Sequence, residues 1–154
     1  MPTLTYQRTI EAPPKVVFDL CRSIDFHVQA AQSIKARAVA HRTCGLAELN
    51  DKTTYSASFF GSRFKLTTQI TRFESPQILH DEMAQGLFHR FSHHYIITES
   101  PDGTLLEDDF TFQAPLGPLG RLFEQLLLTK ALARAQNERL DAIKSEAENQ
   151  TSLA

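Results

Sequence analysis

The chain contains 154 residues, of which 42% are hydrophobic and 22% charged, and its formal net charge is −2. This length and composition indicate one globular domain at 1–145, followed by a polar tail at 146–154 that frays. The near-neutral charge offers no basic surface, which argues against nucleic acid as a partner. We see neither a signal pattern nor an apolar run near the ~20 residues of a membrane span. We therefore expect a cytoplasmic protein, monomeric or homodimeric, without a transmembrane segment.

The N-terminal part of the chain predicts a strand followed by two short helices. Residues 3–10 alternate between polar and apolar side chains, which is typical of a strand with one buried face. Two prolines then interrupt the strand, and residues 15–21 have apolar side chains on one helical face. A second short helix is predicted at 24–31, with Ser23 or Asp25 as its N-cap.

Six later segments are predicted to be strands, because their residues alternate between polar and apolar or because turn signals bound a segment of strand length. These segments are 35–42, 53–60, 63–73, 77–83, 87–99 and 103–114. Turn signals such as Gly61-Ser62, Gln85-Gly86 and Pro101-Asp102 separate them. With the strand at 3–10, the sequence predicts seven tightly connected antiparallel strands that have one dry and one wet face.

Turn positions predict which side chains meet on the dry face. A turn at Gly61-Ser62 places Phe59 opposite Phe64. A two-residue turn at Gln85-Gly86 places His80 opposite Phe91. Three histidines, His80, His89 and His93, would then approach one another, but His89 and His93 lie about 13 Å apart along one strand. One metal ion cannot bind both, so we expect no metal site.

A polar trio interrupts the dry face of the last hairpin. A four-residue loop at 100–103 sets the pairs Phe91–Phe112, His93–Phe110, Tyr95–Asp108 and Ile97–Leu106. A slip of one residue would expose both phenylalanines of the last strand, so the pattern fixes this register. His93, Tyr95 and Asp108 therefore point inward, with His93 diagonal to Asp108. Such a cluster fits three roles: a satisfied interior network, a ligand anchor, or an acid–base pair.

The C-terminal region predicts one long helix. From Leu119 onward, apolar residues recur at helical spacing for about 28 residues, and the stripe includes Leu122, Phe123 and Leu126. A helix of that length can cross a whole curved sheet. We therefore predict that this stripe packs on the dry face, where it meets Phe91 and Phe110.

The chain resembles the START / Bet v 1-like (SRPBCC) superfamily of helix-grip proteins, and within it the bacterial polyketide cyclase/dehydrase or coenzyme Q-binding-like group. The resemblance rests on Ile10-Glu11-Ala12-Pro13-Pro14, Ser23-Ile24-Asp25-Phe26-His27, Phe91-Ser92-His93, the stretch 104–108 and the stretch 115–122, together with the order of elements. It implies an α+β fold in which a seven-stranded antiparallel sheet wraps round the C-terminal helix and leaves a cavity. It implies no particular reaction, because one fold hosts carriers, receptors and enzymes.

Three functions remain open at this point. The first is a binding or carrier protein for a hydrophobic or amphipathic small molecule, such as a lipid, quinone or polyketide, without a cofactor. The second is a cyclase or dehydratase that uses His93 and Asp108, supported by Tyr95, as acid–base groups. The third is a protein-interaction module with a vestigial cavity. The candidate ligand-binding residues are His27, Phe59, Phe64, His80, Phe91, His93, Tyr95, Asp108, Phe110, Leu122, Phe123 and Leu126.

Overall fold

The computed structural model describes residues 3–114 and 117–154, apart from the side chains of residues 120 and 123–125. The described elements are, in chain order, β1 (Thr3–Ile10), α1 (Pro14–Arg22), α2 (Ile24–Ala30), β2 (Arg37–His41), β3 (Lys52–Phe59), β4 (Ser62–Glu74), β5 (Ile78–Gly86), β6 (Arg90–Ser100), β7 (Gly103–Gln113), α3 (Gly117–Phe123), a π-helical turn (Glu124–Leu128) and α4 (Thr129–Leu153). Ser23 caps α2, because its hydroxyl accepts a hydrogen bond from the Phe26 backbone N–H at 3.1 Å.

The strands form one antiparallel sheet in the order β1-β7-β6-β5-β4-β3-β2. The predicted register of the β6–β7 hairpin is confirmed at its pairs, Phe91–Phe112, His93–Phe110, Tyr95–Asp108 and Ile97–Leu106. The alternation of apolar residues selected this register because Ile97, Phe110 and Phe112 are all buried.

The hairpin between β3 and β4 turns one residue earlier than the sequence predicted. Phe60 and Gly61, whose φ angles are 51° and 80°, form the turn, and Phe59 pairs with Ser62 instead of Phe64. Two residues with positive φ are typical of a type I′ turn, whose twist matches that of the flanking strands. The partner changes by two residues, so each side chain keeps its face, and Phe59 and Phe64 still line the same cavity.

The position of β5 differs more from the prediction. His80 pairs with His94 instead of Phe91, while Asp81 pairs with His93. Residues 87–89 connect β5 to β6 in place of the two-residue turn, and β-bulges interrupt the pairing of β5 with β4. An odd shift of register exchanges the two faces of a strand. The predicted inward orientation of His80 is therefore wrong, and Asp81 takes that side of the sheet.

The C-terminal helix is divided by a π-helical turn. Each additional residue rotates a helix by about 100°, so a single π turn separates the apolar stripes before and after it. Leu122, before this turn, and Leu126, within it, are 54% and 56% exposed, and their predicted packing against the sheet is wrong. The residues that α4 and the preceding turn bury are Leu128, Leu132, Ala135, Gln136, Arg139, Leu140, Ile143 and Ala147.

The polar C-terminal segment belongs to α4. The sequence predicted that 146–154 frays, but the helix continues to Leu153 and buries Ala147 completely. Polar contacts tie this end of the helix to β1, since Lys144 Nζ donates to the Thr9 carbonyl at 2.7 Å. Tertiary contacts therefore stabilise a segment whose composition alone favours fraying.

Two apolar clusters fill the space between the sheet and the helices. One joins α1 and α2 to the sheet and α4, with Phe18, Leu79, Leu106 and Ile143 among its buried members. The other joins Phe110 and Phe112 to Leu128 and Leu132. Members of both clusters line a cavity, which the fold leaves between the sheet and α4.

Candidate functional site

The cavity has a volume of about 340 Å³ and a mostly apolar wall. That volume lies near the lower end of the ~300–1,000 Å³ of typical small-molecule sites. Six predicted ligand-binding residues line it, namely His27, Phe59, Phe64, Phe91, His93 and Phe110. Phe60 and Leu87 also line the cavity but are 57% and 56% exposed, so they mark where it opens to solvent.

The other predicted ligand-binding residues lie elsewhere. Tyr95 and Asp108 are completely buried in the layer behind the cavity wall. His80 lies on the outer face, where its ring centroid is 5.3 Å from that of His94. Leu122 and Leu126 are more than half exposed and do not line the cavity. The side chain of Phe123 lies outside the described residues.

His93 and Asp108 form the predicted hydrogen bond. His93 Nδ1 lies 3.1 Å and 3.3 Å from the two carboxyl oxygens of Asp108. The imidazole is also stacked between Phe110, at 4.2 Å, and Tyr95, at 5.5 Å between ring centroids. These contacts fix the ring, so Nε2 is the nitrogen that remains for a molecule in the cavity.

Asp108 is bonded from a second side by α4. Gln136 Nε2 donates to Asp108 Oδ2 at 2.6 Å and lies 3.3 Å from the hydroxyl oxygen of Tyr95. The buried carboxyl group is therefore held between a strand and the helix. Gln136 was absent from the predicted site because an isolated glutamine in a helix carries no functional signal of its own.

Arg139 is the buried cation of the site. One guanidinium nitrogen donates to the Tyr95 hydroxyl, and the other terminal nitrogen donates to the Cys21 carbonyl at 2.6 Å. Burial disfavours its charge, but the nearby Tyr95 and Asp81 outweigh burial and raise the pKa of Arg139. Arg139 is therefore charged at every physiological pH. Arg139 was absent from the predicted site, although its spacing from Leu132 and Ile143 follows the helix period.

Asp81 lines the cavity beside this cation. Its Oδ1 is buried and has no hydrogen-bond partner in the protein. Burial is the largest influence and raises the pKa of Asp81, Asp108 raises it further, and the charges of His93 and Arg139 lower it by less. The residue as a whole is partly exposed, whereas its Oδ1 is buried. The sequence missed Asp81 because the incorrect β5 register placed it on the wet face.

His27 and Tyr55 complete the polar part of the wall. Their ring centroids lie 4.7 Å apart, and both residues line the cavity. Burial lowers the pKa of His27 well below its ordinary value, and the charges of Arg139 and His93 lower it further. Burial likewise raises the pKa of Tyr55 to about 12. Both side chains are therefore neutral near pH 7.

Among the described residues, no three His, Cys, Asp or Glu side chains come together as metal ligands. No helix in the described part of the chain has the length and apolar character needed to cross a membrane.

Both the sequence and the fold relate this chain to known proteins. Residues 1–148 match the model of the family described as "Polyketide cyclase / dehydrase and lipid transport". The chain belongs to this family. The match spans the sheet, the two short helices and most of α4, and so includes every polar group of the cavity. No curated protein matches the chain.

Solved structures show the fold of this family member. A protein from Thermus thermophilus superposes with a TM-score of 0.77 at 16% identity, covering 95% of this chain and 97% of that one. A START superfamily protein from Mycobacterium smegmatis gives 0.70 at 15% identity, with coverages of 96% and 98%. Ginseng major latex-like protein 151 from Panax ginseng gives 0.67 at 8% identity, with coverages of 95% and 97%. Identities this low establish the helix-grip fold and no shared ligand.

Asp81→Asn tests the electrostatics of the wall. The pKa of Asp81 is higher in the folded protein than its ordinary value of 3.8, so the folded state retains its proton over a wider pH range. As pH rises from the Asp81 pKa of the unfolded state to that of the folded state, the unfolded protein loses this proton first. The free energy of unfolding of the unmodified protein therefore falls over this range. Asparagine cannot ionise, so Asp81→Asn lacks this loss. Its free energy of unfolding should therefore increase relative to that of the unmodified protein over this pH range. Urea unfolding at several pH values measures the difference.

Glu82→Gln is the control, because Glu82 is the next residue on β5, is exposed and loses the same charge in this variant. The difference in unfolding free energy between Glu82→Gln and the unmodified protein should not increase with pH, in contrast to the difference for Asp81→Asn. A difference for Asp81→Asn that stays constant or shrinks as pH rises would contradict the electrostatic account.

Proposed function

We propose that the protein binds or carries one amphipathic small molecule inside the cavity. The observation that carries this proposal is the distribution of polarity along the wall. Most lining residues are aromatic or aliphatic, including Phe60 and Leu87 at the opening, while His27, Asp81, His93 and Arg139 contribute polar groups to the wall. A ligand with an apolar body and one polar end complements such a wall.

The family description supports the proposal, since it names both lipid transport and polyketide chemistry, whose molecules are apolar with oxygen-bearing groups. The binding residues we propose are therefore His27, Phe59, Phe64, Phe91, His93 and Phe110, with Tyr95 and Asp108 as positioning residues behind them. Burial of the apolar body supplies most of the affinity, at about 25 cal/mol per Å² of apolar surface. The polar groups then determine which end of the molecule enters first.

Filling the cavity should weaken binding. Ala135 is buried and lines the cavity, so Ala135→Leu places additional methylene groups in the space that a ligand needs. A penalty of about 1–3 kcal/mol, the scale of overpacking in a core, corresponds to a loss of affinity of about fivefold to 150-fold. The measurement is fluorescence titration with the neutral probe N-phenyl-1-naphthylamine, which we expect the unmodified protein to bind at micromolar concentration.

Ala133→Leu is the matched control, because Ala133 lies on the same helix but does not line the cavity. Its affinity for the probe should stay within about twofold of the unmodified protein. Equal affinities for the two folded variants would show that the probe binds outside the cavity.

A second function, proton transfer, is favoured by one observation. The imidazole of His93 borders the cavity with Nδ1 bonded to Asp108, which is how a carboxylate orients a histidine that acts as a general base. In this role Nε2 accepts a proton from a carbon acid held in the cavity. The carboxyl group of Asp108 stabilises the imidazolium that forms. It keeps its hydrogen bonds with His93 and Gln136.

Deuterium exchange into 2-tetralone tests this function. The ketone has an apolar body and acidic protons beside its carbonyl, and NMR in D₂O follows their loss. The unmodified protein should accelerate exchange above the buffer rate, and His93→Phe should abolish the acceleration. His94→Phe is the control, because His94 is the adjacent residue and lies on the outer face. Exchange at the buffer rate with the unmodified protein would contradict proton transfer and leave the binding role in place.

A further inference from the structure

Three residues that line the cavity each carry a buried polar atom without a hydrogen-bond partner in the protein. These atoms are His27 Nδ1, Asp81 Oδ1 and Arg139 Nε. Buried polar groups are partnered in the great majority of cases, because an unpaired group loses its bonds to water without replacement. Because all three residues border one cavity, a molecule inside it is the common source from which the missing partners can come.

The three side chains are close enough to influence one another. The charge of Arg139 lowers the pKa of His27 and also lowers that of Asp81. Asp81 in turn favours the charged form of Arg139. The ring of Tyr55 contacts His27 and borders the same space. We call these three residues of the cavity wall, His27, Asp81 and Arg139, the head-group site.

Hydrogen-bonding capacity restricts what can occupy the head-group site. Arg139 Nε carries a hydrogen and can only donate. Asp81 Oδ1 accepts as a carboxylate oxygen, and it also accepts when the neutral carboxyl group carries its proton on Oδ2. An occupant that satisfies both atoms accepts one hydrogen bond and donates another. A hydroxyl oxygen does both, whereas an ether or ketone oxygen only accepts.

Charge restricts the occupant further. A carboxylate head group would meet Arg139 favourably, but it would also lie beside Asp81 and close to Asp108, and it has no hydrogen to donate to Asp81. An ammonium head group would lie beside the permanent charge of Arg139 and could not accept from it. An uncharged hydroxyl group avoids both repulsions.

We propose that the head-group site binds an uncharged alcoholic or phenolic hydroxyl group on the apolar ligand. The hydroxyl oxygen accepts a hydrogen bond from Arg139 Nε and donates one to Asp81 Oδ1, with His27 Nδ1 beside them. This inference rests on the proposed binding function and adds the chemical class of the ligand. His93 lies next to the same space, so the hydroxyl-bearing end of the ligand is also the end that approaches its imidazole.

Four compounds that share one ring system test the inference, and these are naphthalene, 2-methoxynaphthalene, 2-naphthol and 2-naphthoate. Equilibrium dialysis at pH 7 gives the dissociation constant of each. We expect the unmodified protein to bind 2-naphthol at least about tenfold more tightly than naphthalene, as charge-assisted hydrogen bonds allow. The methoxy compound should fall between them, because it accepts but cannot donate. Naphthoate should bind no more tightly than naphthalene.

Asp81→Leu separates the hydroxyl contact from apolar binding. It should reduce the preference for 2-naphthol, measured as the ratio of its affinity to that for naphthalene in the same variant, to less than about threefold. Glu82→Leu, on the exposed face of the same strand, should retain the full preference. Asp81→Asn retains an acceptor oxygen and should restore part of the preference, and it serves in place of Asp81→Leu if that variant does not fold.

The outcomes distinguish the two proposals. Equal binding of naphthalene and 2-naphthol by the unmodified protein would overturn the head-group assignment and leave the binding function supported. Tightest binding of 2-naphthoate would overturn it in favour of a carboxylate site at Arg139. A preference for 2-naphthol that survives in Asp81→Leu would also overturn it. Failure of all four compounds to bind would contradict the binding function itself.

Discussion

The buried guanidinium of Arg139 is the constraint on which the rest of the structure depends. Removing a permanent charge from water is costly unless hydrogen bonds and opposite charge replace the water. Here the Tyr95 hydroxyl and the Cys21 carbonyl accept from its terminal nitrogens, and Asp81 supplies compensating negative potential. These partners come from β6, α1 and β5, so satisfying one side chain fixes the position of α4 against three other elements.

The same requirement links the architecture to the cavity. Gln136, one helical turn before Arg139, reaches Asp108, and Asp108 reaches His93, whose ring borders the cavity. A single network thus joins the helix to the sheet and also orients the polar groups that face a ligand. Such a network stabilises a unique arrangement only when every member is bonded. The unpaired atoms of Asp81 and Arg139 are exceptions that lie at the cavity, where a bound molecule can supply the missing bonds.

Local patterns predicted the parts of the fold that depend on local chemistry. Alternation between polar and apolar residues set the β6–β7 register, and with it the contact between His93 and Asp108, because a slip would have exposed Phe110 and Phe112. The order of elements indicated the helix-grip fold. Loops and helix irregularities were harder to predict. No local motif marks the π turn at Glu124–Leu128, and the residues 87–89 that connect β5 to β6 carry no strong turn signal. Polar residues of the site were missed for a related reason, because a search for an apolar stripe passes over buried polar positions such as Gln136 and Arg139.

Measurement of the unfolding free energy of Arg139→Met tests this account most directly. Methionine keeps much of the length of the side chain and removes the charge, together with the hydrogen bonds that Arg139 donates to the Tyr95 hydroxyl and the Cys21 carbonyl. The expected loss of stability in urea unfolding is about 2–5 kcal/mol. Arg134→Met on the same helix, where the side chain is 77% exposed, should change stability by less than about 0.5 kcal/mol. If Arg139→Met proved as stable as Arg134→Met, the guanidinium could not be what holds α4 in place.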